Sequence, residues 1–158
     1  MSAPPLRIWI EIDHQTAFRS GGWAYVLAEG SVLSGAAGGE RAATPQAIAL
    51  YGLVEALKAA PAGAAVEVSS ASPAVLAAAR VAIGPAPAEP PADDLPLWAQ
   101  LATVLKGRAA RFAPAAAAPR TPNAFAAAWA ELARDKAKTR PFKAAIPKVN
   151  LAKAGVPA

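Results

Sequence analysis

Chemistry in this chain rests on oxygen and nitrogen, because its 158 residues include no cysteine and a single histidine, His14. Disulfides, a thiolate nucleophile and cysteine-ligated zinc are therefore excluded. The acids are few: Glu11, Asp13, Glu29, Glu40, Glu55, Glu67, Glu89, Asp93, Asp94, Glu131 and Asp135. Glu11 and Asp13 are the pair whose spacing points to chemistry. From Leu6 to Asp13 the sequence alternates, with Ile8, Ile10 and Ile12 at one parity and Trp9, Glu11 and Asp13 at the other. A strand of that pattern carries both carboxylates on one face, roughly 6.6 Å apart, close enough to share a single metal ion. Asp13 is the metal-ligand candidate; the plainer reading is a carboxylate held by a hydrogen bond or a nearby cation. His14 beside it reads either as a ligand or general base, or as a structural strand-end histidine.

Basic side chains offer a second chemistry, contact with phosphate. The net charge of +5 is unevenly divided: from Arg134 onward there are seven basic residues and one acid, a local charge of +6, against −1 for residues 1–133. Each Lys or Arg placed near a phosphate releases a counterion, so a basic, Ala- and Pro-rich extension suits a nucleic-acid partner. A solvated, disordered tail is the alternative. Arg108, Arg111 and Arg120, with Lys143 and Lys148 in the tail, are the candidate nucleic-acid contacts.

The elements that must position these groups read as one α/β domain over 1–138 and a tail over 139–158. Strands are expected near 6–13, 22–28, 31–36, 65–70 and 108–113, the first three forming an antiparallel meander closed by Gly38 and Gly39. Helices are expected near 45–59, 73–83, 95–105 and 122–137; Thr44-Pro45 supplies a cap and a first-turn proline, and Pro73 opens the second helix. Trp9, Trp23, Trp98 and Trp129 read as packing residues rather than base-stacking platforms. Five prolines between Gly84 and Pro96 mark a loop of polyproline character. Pro141 and Pro147 argue against regular structure near the end of the chain. Alanine supplies 46 residues, which raises the apolar share to 54% without adding much buried area. No apolar run approaches the roughly 18 residues of a membrane span, and Met1 to Pro5 does not resemble a secretory signal, so a cytoplasmic location without membrane contact is expected.

The order of these elements, with particular residues at their joints, resembles bacterial ribonuclease H across residues 7–135. Ile10-Glu11-Ile12-Asp13 resembles its first strand, ending in a catalytic aspartate, and Gly21-Gly22-Trp23-Ala24-Tyr25-Val26-Leu27 its glycine-led second strand. Ser34-Gly35 through Thr44, with Ile48-Ala49-Leu50 and Glu55-Ala56-Leu57-Lys58, resembles the passage from third strand to first helix. Leu97-Trp98 with Leu101, Gly107 to Phe112 and Glu131-Leu132-Ala133-Arg134 resemble the later helix, last strand and last helix. The resemblance implies a ribonuclease H-like fold with a five-stranded mixed sheet flanked by helices. It also implies an acidic cluster holding two Mg²⁺ ions that cleave the RNA strand of RNA:DNA hybrids. Carried over residue by residue, the four acidic positions fall on Asp13, Ala49, Ala71 and Ala130, and the loop Ala115 to Pro119 lacks the family's histidine. Ala49, Ala71 and Ala130 are expected to converge near Asp13 as the outline of an emptied site.

Three function classes are compatible with these residues. The reading carried forward is a degenerate ribonuclease H-like protein that binds nucleic acid, RNA:DNA hybrid or RNA, without hydrolysis and without a cofactor. An active Mg²⁺-dependent hybrid ribonuclease with atypical ligands is one alternative, and a structural subunit that binds a protein partner is the other.

Overall fold

The alternation of residues 6–13 opens a ten-residue strand, Leu6–Gln15, and every other element grows from it. The computed structural model describes residues 4–85, 89 and 91–158. In chain order these form β1 (Leu6–Gln15), a 3-10 turn (Thr16–Phe18), β2 (Ser20–Glu29), β3 (Val32–Glu40), α1 (Pro45–Ala59), β4 (Ala65–Ser70) and α2 (Pro73–Ile83). They continue with α3 (Leu95–Lys106), β5 (Ala109–Pro114), α4 (Pro122–Lys136), β6 (Phe142–Ala145) and α5 (Lys148–Leu151). The sheet order is β5-β4-β1-β2-β3-β6. β1, β2, β3 and β6 pair antiparallel, while β4 and β5 continue from β1 in parallel. Among the described residues no helix is long and apolar enough to cross a membrane. The proline-rich loop expected over 84–96 lies partly outside the described residues, as does the chain's start.

Three of the four long helices begin in the same way. Thr44, Ser72 and Thr121 each accept a hydrogen bond from the backbone N–H three residues on, and each is followed by proline at the first helical position. Such a cap stabilises a helix by about 1 kcal/mol, and the proline surrenders an N–H that has no partner there.

The parity of β1 and β2 divides the interior into two layers. Ile8, Ile10, Trp23, Tyr25 and Leu27 face α1, α2 and α3 and join Ile48, Leu53, Leu57 and Leu101 in the larger core. Trp9, Ala24, Val26 and Ala28 face the other way and pack under Ala126, Ala130 and Ala133 of α4. On that second side α4 crosses β1, β2 and β3.

Two expectations need correcting. The sheet has six strands, because Phe142–Ala145 pairs with β3 from Ala36 to Gly39. The prolines at 141 and 147 flank this short edge strand without interrupting it, which an edge position tolerates. Beyond that strand, Ile146, Leu151 and Ala154 are buried in the α4-side core. In addition, Gly38 and Gly39 lie inside β3 rather than closing it. A Cβ on Gly39 would lie 2.7 Å from both the Ala133 carbonyl and the Ala137 Cβ, and one on Gly38 would meet the Trp23 ring. Glycine is required there by close approach, not by a turn.

Candidate functional site

Glu11 and Asp13 project from β1 toward α4, and each is already engaged. The Glu11 side of the site is almost closed to solvent, at 3% exposure. Its Oε1 accepts from the Ser70 hydroxyl at 3.1 Å, and its Oε2 accepts from the Ala71 N–H at 2.8 Å and the Asn123 amide at 2.7 Å. One carboxylate thus joins the end of β4, the middle of β1 and the first turn of α4. Burial pushes its carboxyl above the ordinary glutamate range, and the hydrogen bonds from Ala71, Asn123 and Ser70 pull against that rise.

Asp13 lies two residues further along, nearer the surface. Its Oδ2 accepts from Arg134 Nη1 at 3.0 Å, and the other end of that guanidinium reaches Asp135 at 3.0 Å. The geometry depends on Gly22, which pairs with Asp13 across β1 and β2. A Cβ on Gly22 would fall on the Ala130 carbonyl and within 2.5 Å of the Arg134 nitrogen, so only glycine lets α4 come this close. With Asp13 about one-third exposed, solvent screens the pair, and its net contribution is about 1 kcal/mol. Arg134→Gln is expected to lower stability by about that amount in urea denaturation, with a coupling energy of similar size in a double-mutant cycle with Asp13→Asn.

The remaining family positions fall as follows. Ala71 stands beside Glu11, to which it donates its N–H, and Ala130 lies above Gly22, beside Asp13's end of the strand pair. Ala49 is fully buried in the core on the opposite side of the sheet from Ala130. His14 lies apart from Asp13's partners, with Nε2 2.7 Å from the Ala43 carbonyl.

Two divalent cations do not fit the residues present. Among the described residues no three acidic, histidine or cysteine side chains converge on a common point. Both Glu11 oxygens take protein donors, and Asp13 faces a guanidinium where a cation would need it.

The proposed phosphate contacts are dispersed. Arg108 is half-buried and tied inward: Nε and Nη2 donate to the Ala60 carbonyl at 3.0 and 2.7 Å and Nη1 to Val104 at 3.0 Å, closing the ends of α1 and α3. It is a structural clamp, a correction to its reading as a surface contact. Arg111 lines a cleft of about 340 Å³ with Arg7, Trp9, Glu67 and Ser69, on the part of the sheet beside α4. Arg120 is exposed, in a left-handed turn with φ of 64°. Lys143 reaches Glu55 at 3.2 Å, and Lys148 is exposed at the start of α5. Asn123 is the site residue that sequence reasoning missed. It follows the Thr121-Pro122 cap, but nothing in the sequence links it to a glutamate 112 residues earlier.

No protein-family model matches the sequence, and no curated protein matches it. Solved structures do. The N-terminal RNase H domain of a Mycobacterium tuberculosis protein, solved as a fusion with maltose-binding protein, superposes with a TM-score of 0.59 at 21% identity, covering 85% of this chain and 97% of that one. RNase H1 from the halophilic archaeon Halobacterium salinarum gives 0.59 at 22% identity, covering 85% and 100%. A type 1 RNase H with the type 2 active-site motif gives 0.61 at 16% identity, covering 91% and 80%. At these identities the likeness is one of fold.

Proposed function

We propose that this chain, whose fold is ribonuclease H-like, binds nucleic acid without cleaving it and without a divalent cation. The observation that carries the reading is the ion pair between Asp13 and Arg134. Asp13 is the one carboxylate that the sequence resemblance retains, and a guanidinium on it supplies the positive charge that a metal ion otherwise brings. An Arg side chain has no exchangeable water to activate and no open coordination position, so it stabilises the carboxylate without generating a nucleophile. Glu11 is closed off in the same sense, since its lone pairs are directed at Ser70, Ala71 and Asn123.

Binding is supported by the surplus of basic residues and by the fold, which in the solved neighbours belongs to RNase H proteins. The expected result is that purified protein cleaves an RNA:DNA hybrid in Mg²⁺ or Mn²⁺ no faster than its Asp13→Ala variant, while retaining the hybrid in a binding assay. Turnover that disappears on Asp13→Ala would overturn the reading in favour of an active nuclease with atypical ligands. Failure to retain any nucleic acid at low salt would favour a protein partner.

A further inference from the structure

Basic side chains are gathered where α4 ends. Its last turn and the loop beyond it present Lys136, Lys138 and Arg140, all exposed. Three separate contacts tie this loop to its neighbours. Arg41 Nη1, just after β3, donates to the Thr139 carbonyl at 3.2 Å. Lys138 Nζ stands 4.8 Å above the ring of Phe18, in the turn between β1 and β2, and Lys136 Nζ stands 5.2 Å from the ring of Phe142 at the start of β6. Arg19, exposed beside Phe18, has its carbonyl bound by the Ala43 N–H at 3.0 Å. One end of the sheet is thus ringed by cations from three connections, two of the side chains resting on aromatic rings.

The acids nearby are largely spent. Asp13 and Asp135 are both held by Arg134, and Asp135 also meets Lys138 at 3.5 Å. Glu40 is partly buried, and burial pushes its carboxyl upward. Among the described residues Arg19, Arg41, Lys136 and Arg140 have no ion-pair partner within 4.0 Å. Asp93 and Asp94 share a cleft with Arg19 and Arg41 toward α3, which bounds the positive surface on that side. It opens instead toward α4 and β6.

We infer that this end of the sheet, centred on Lys136, Lys138 and Arg140, is a docking surface for the phosphodiester backbone of nucleic acid. The inference rests on the nucleic-acid reading above and adds where the contact is made. Ammonium and guanidinium groups contact phosphate whatever the base sequence, so the surface grips without selecting a sequence. Lysines already resting on rings lose less freedom on binding than free ones. Of the other tail lysines, Lys143 is paired with Glu55, and Lys148 and Lys153 are elsewhere: Leu151 of α5 packs near Gly35, whereas Phe142 pairs with Gly39, so they lie roughly 13 Å further along β3.

The test compares two triple variants of equal charge, Lys136→Ala/Lys138→Ala/Arg140→Ala and Arg80→Ala/Lys106→Ala/Lys153→Ala, in titrations of a labelled RNA:DNA hybrid at several salt concentrations. Loss of three phosphate contacts is expected to flatten the log-affinity against log-salt slope by roughly 2 to 3 and to weaken binding at 0.1 M salt on the order of 100-fold. The control triple should stay within a few-fold of wild type. Equal weakening by both triples overturns the surface while leaving the binding function standing, because the effect then follows net charge. No binding by wild type removes both. If the first triple abolishes binding to phosphatidylserine vesicles but leaves hybrid binding intact, the surface is a lipid contact and the inference fails.

Discussion

Gly22→Val will cost about 3 kcal/mol or more of folding stability. The glycine is the floor on which α4 rests: any Cβ there falls on the Ala130 carbonyl and the Arg134 nitrogen, both backbone atoms with no rotamer to yield. Relief requires α4 to lift, which opens the alanine-lined contact with Ala24, Val26, Ala126, Ala130 and Ala133. Overpacking usually costs about 1 to 3 kcal/mol, and a clash with fixed backbone belongs at the upper end. Urea denaturation measures the effect, with Gly107→Ala as control. Gly107 has φ of −90° and no atom near its Cβ position, so alanine there should change stability by less than about 0.5 kcal/mol. A Gly22→Val variant as stable as wild type would show that α4 is not seated where the structure places it.

Glu11→Ala is expected to cost roughly 3 kcal/mol, since it leaves the Ser70 hydroxyl, the Ala71 N–H and the Asn123 amide without their acceptor. Glu11→Gln keeps an acceptor in place and should cost about 1 kcal/mol or less near neutral pH. Its signature is the pH profile. Because burial raises the native carboxyl above its ordinary value of 4.5, the folded chain holds this proton at higher pH than the unfolded chain does. The protonated form therefore contributes stability that is complete below the ordinary glutamate value and is lost as pH rises through the raised one. Wild-type stability should show this decline across mildly acidic pH, and Glu11→Gln should lack it. A Glu11→Gln profile parallel to wild type would assign the slope to another group.

What the sequence made legible follows from locality. Parity in residues 6–13 and the Thr-Pro and Ser-Pro steps at 44, 72 and 121 are local signals, and they place strands and helices within a few residues of where they lie. β6 carried no such signal: four residues, Phe-Lys-Ala-Ala between prolines, form a strand only because β3 offers an open edge. The parity that put Glu11 and Asp13 on one face also held, whereas their partners on β4 and α4 are 59 to 121 residues away and were invisible. Ala49 illustrates a different difficulty. The apolar run Ile48-Ala49-Leu50 identifies a helix but not its rotation, and each residue turns the helix by 100°, so a slip of one or two positions moves a side chain from the site into the core. Arg108 shows why charge alone misleads, since backbone carbonyls at two helix ends compete for the same guanidinium that phosphate would take.

The pairing of β6 with β3 also bears on how the chain reaches this structure. Ala36 meets Ala145 only after more than a hundred intervening residues have been synthesised and folded around. Contacts of such separation form late, because the entropy of closing the loop is lost before the strand gives anything back. Until then β3 is a bare edge of small residues, Gly35-Ala36-Ala37-Gly38-Gly39, with its amides and carbonyls unpaired and no side chain large enough to shield them. That edge can template pairing with a second unfinished chain. The last strand, flanked by the prolines at 141 and 147, therefore acts during folding as the cover that ends the sheet.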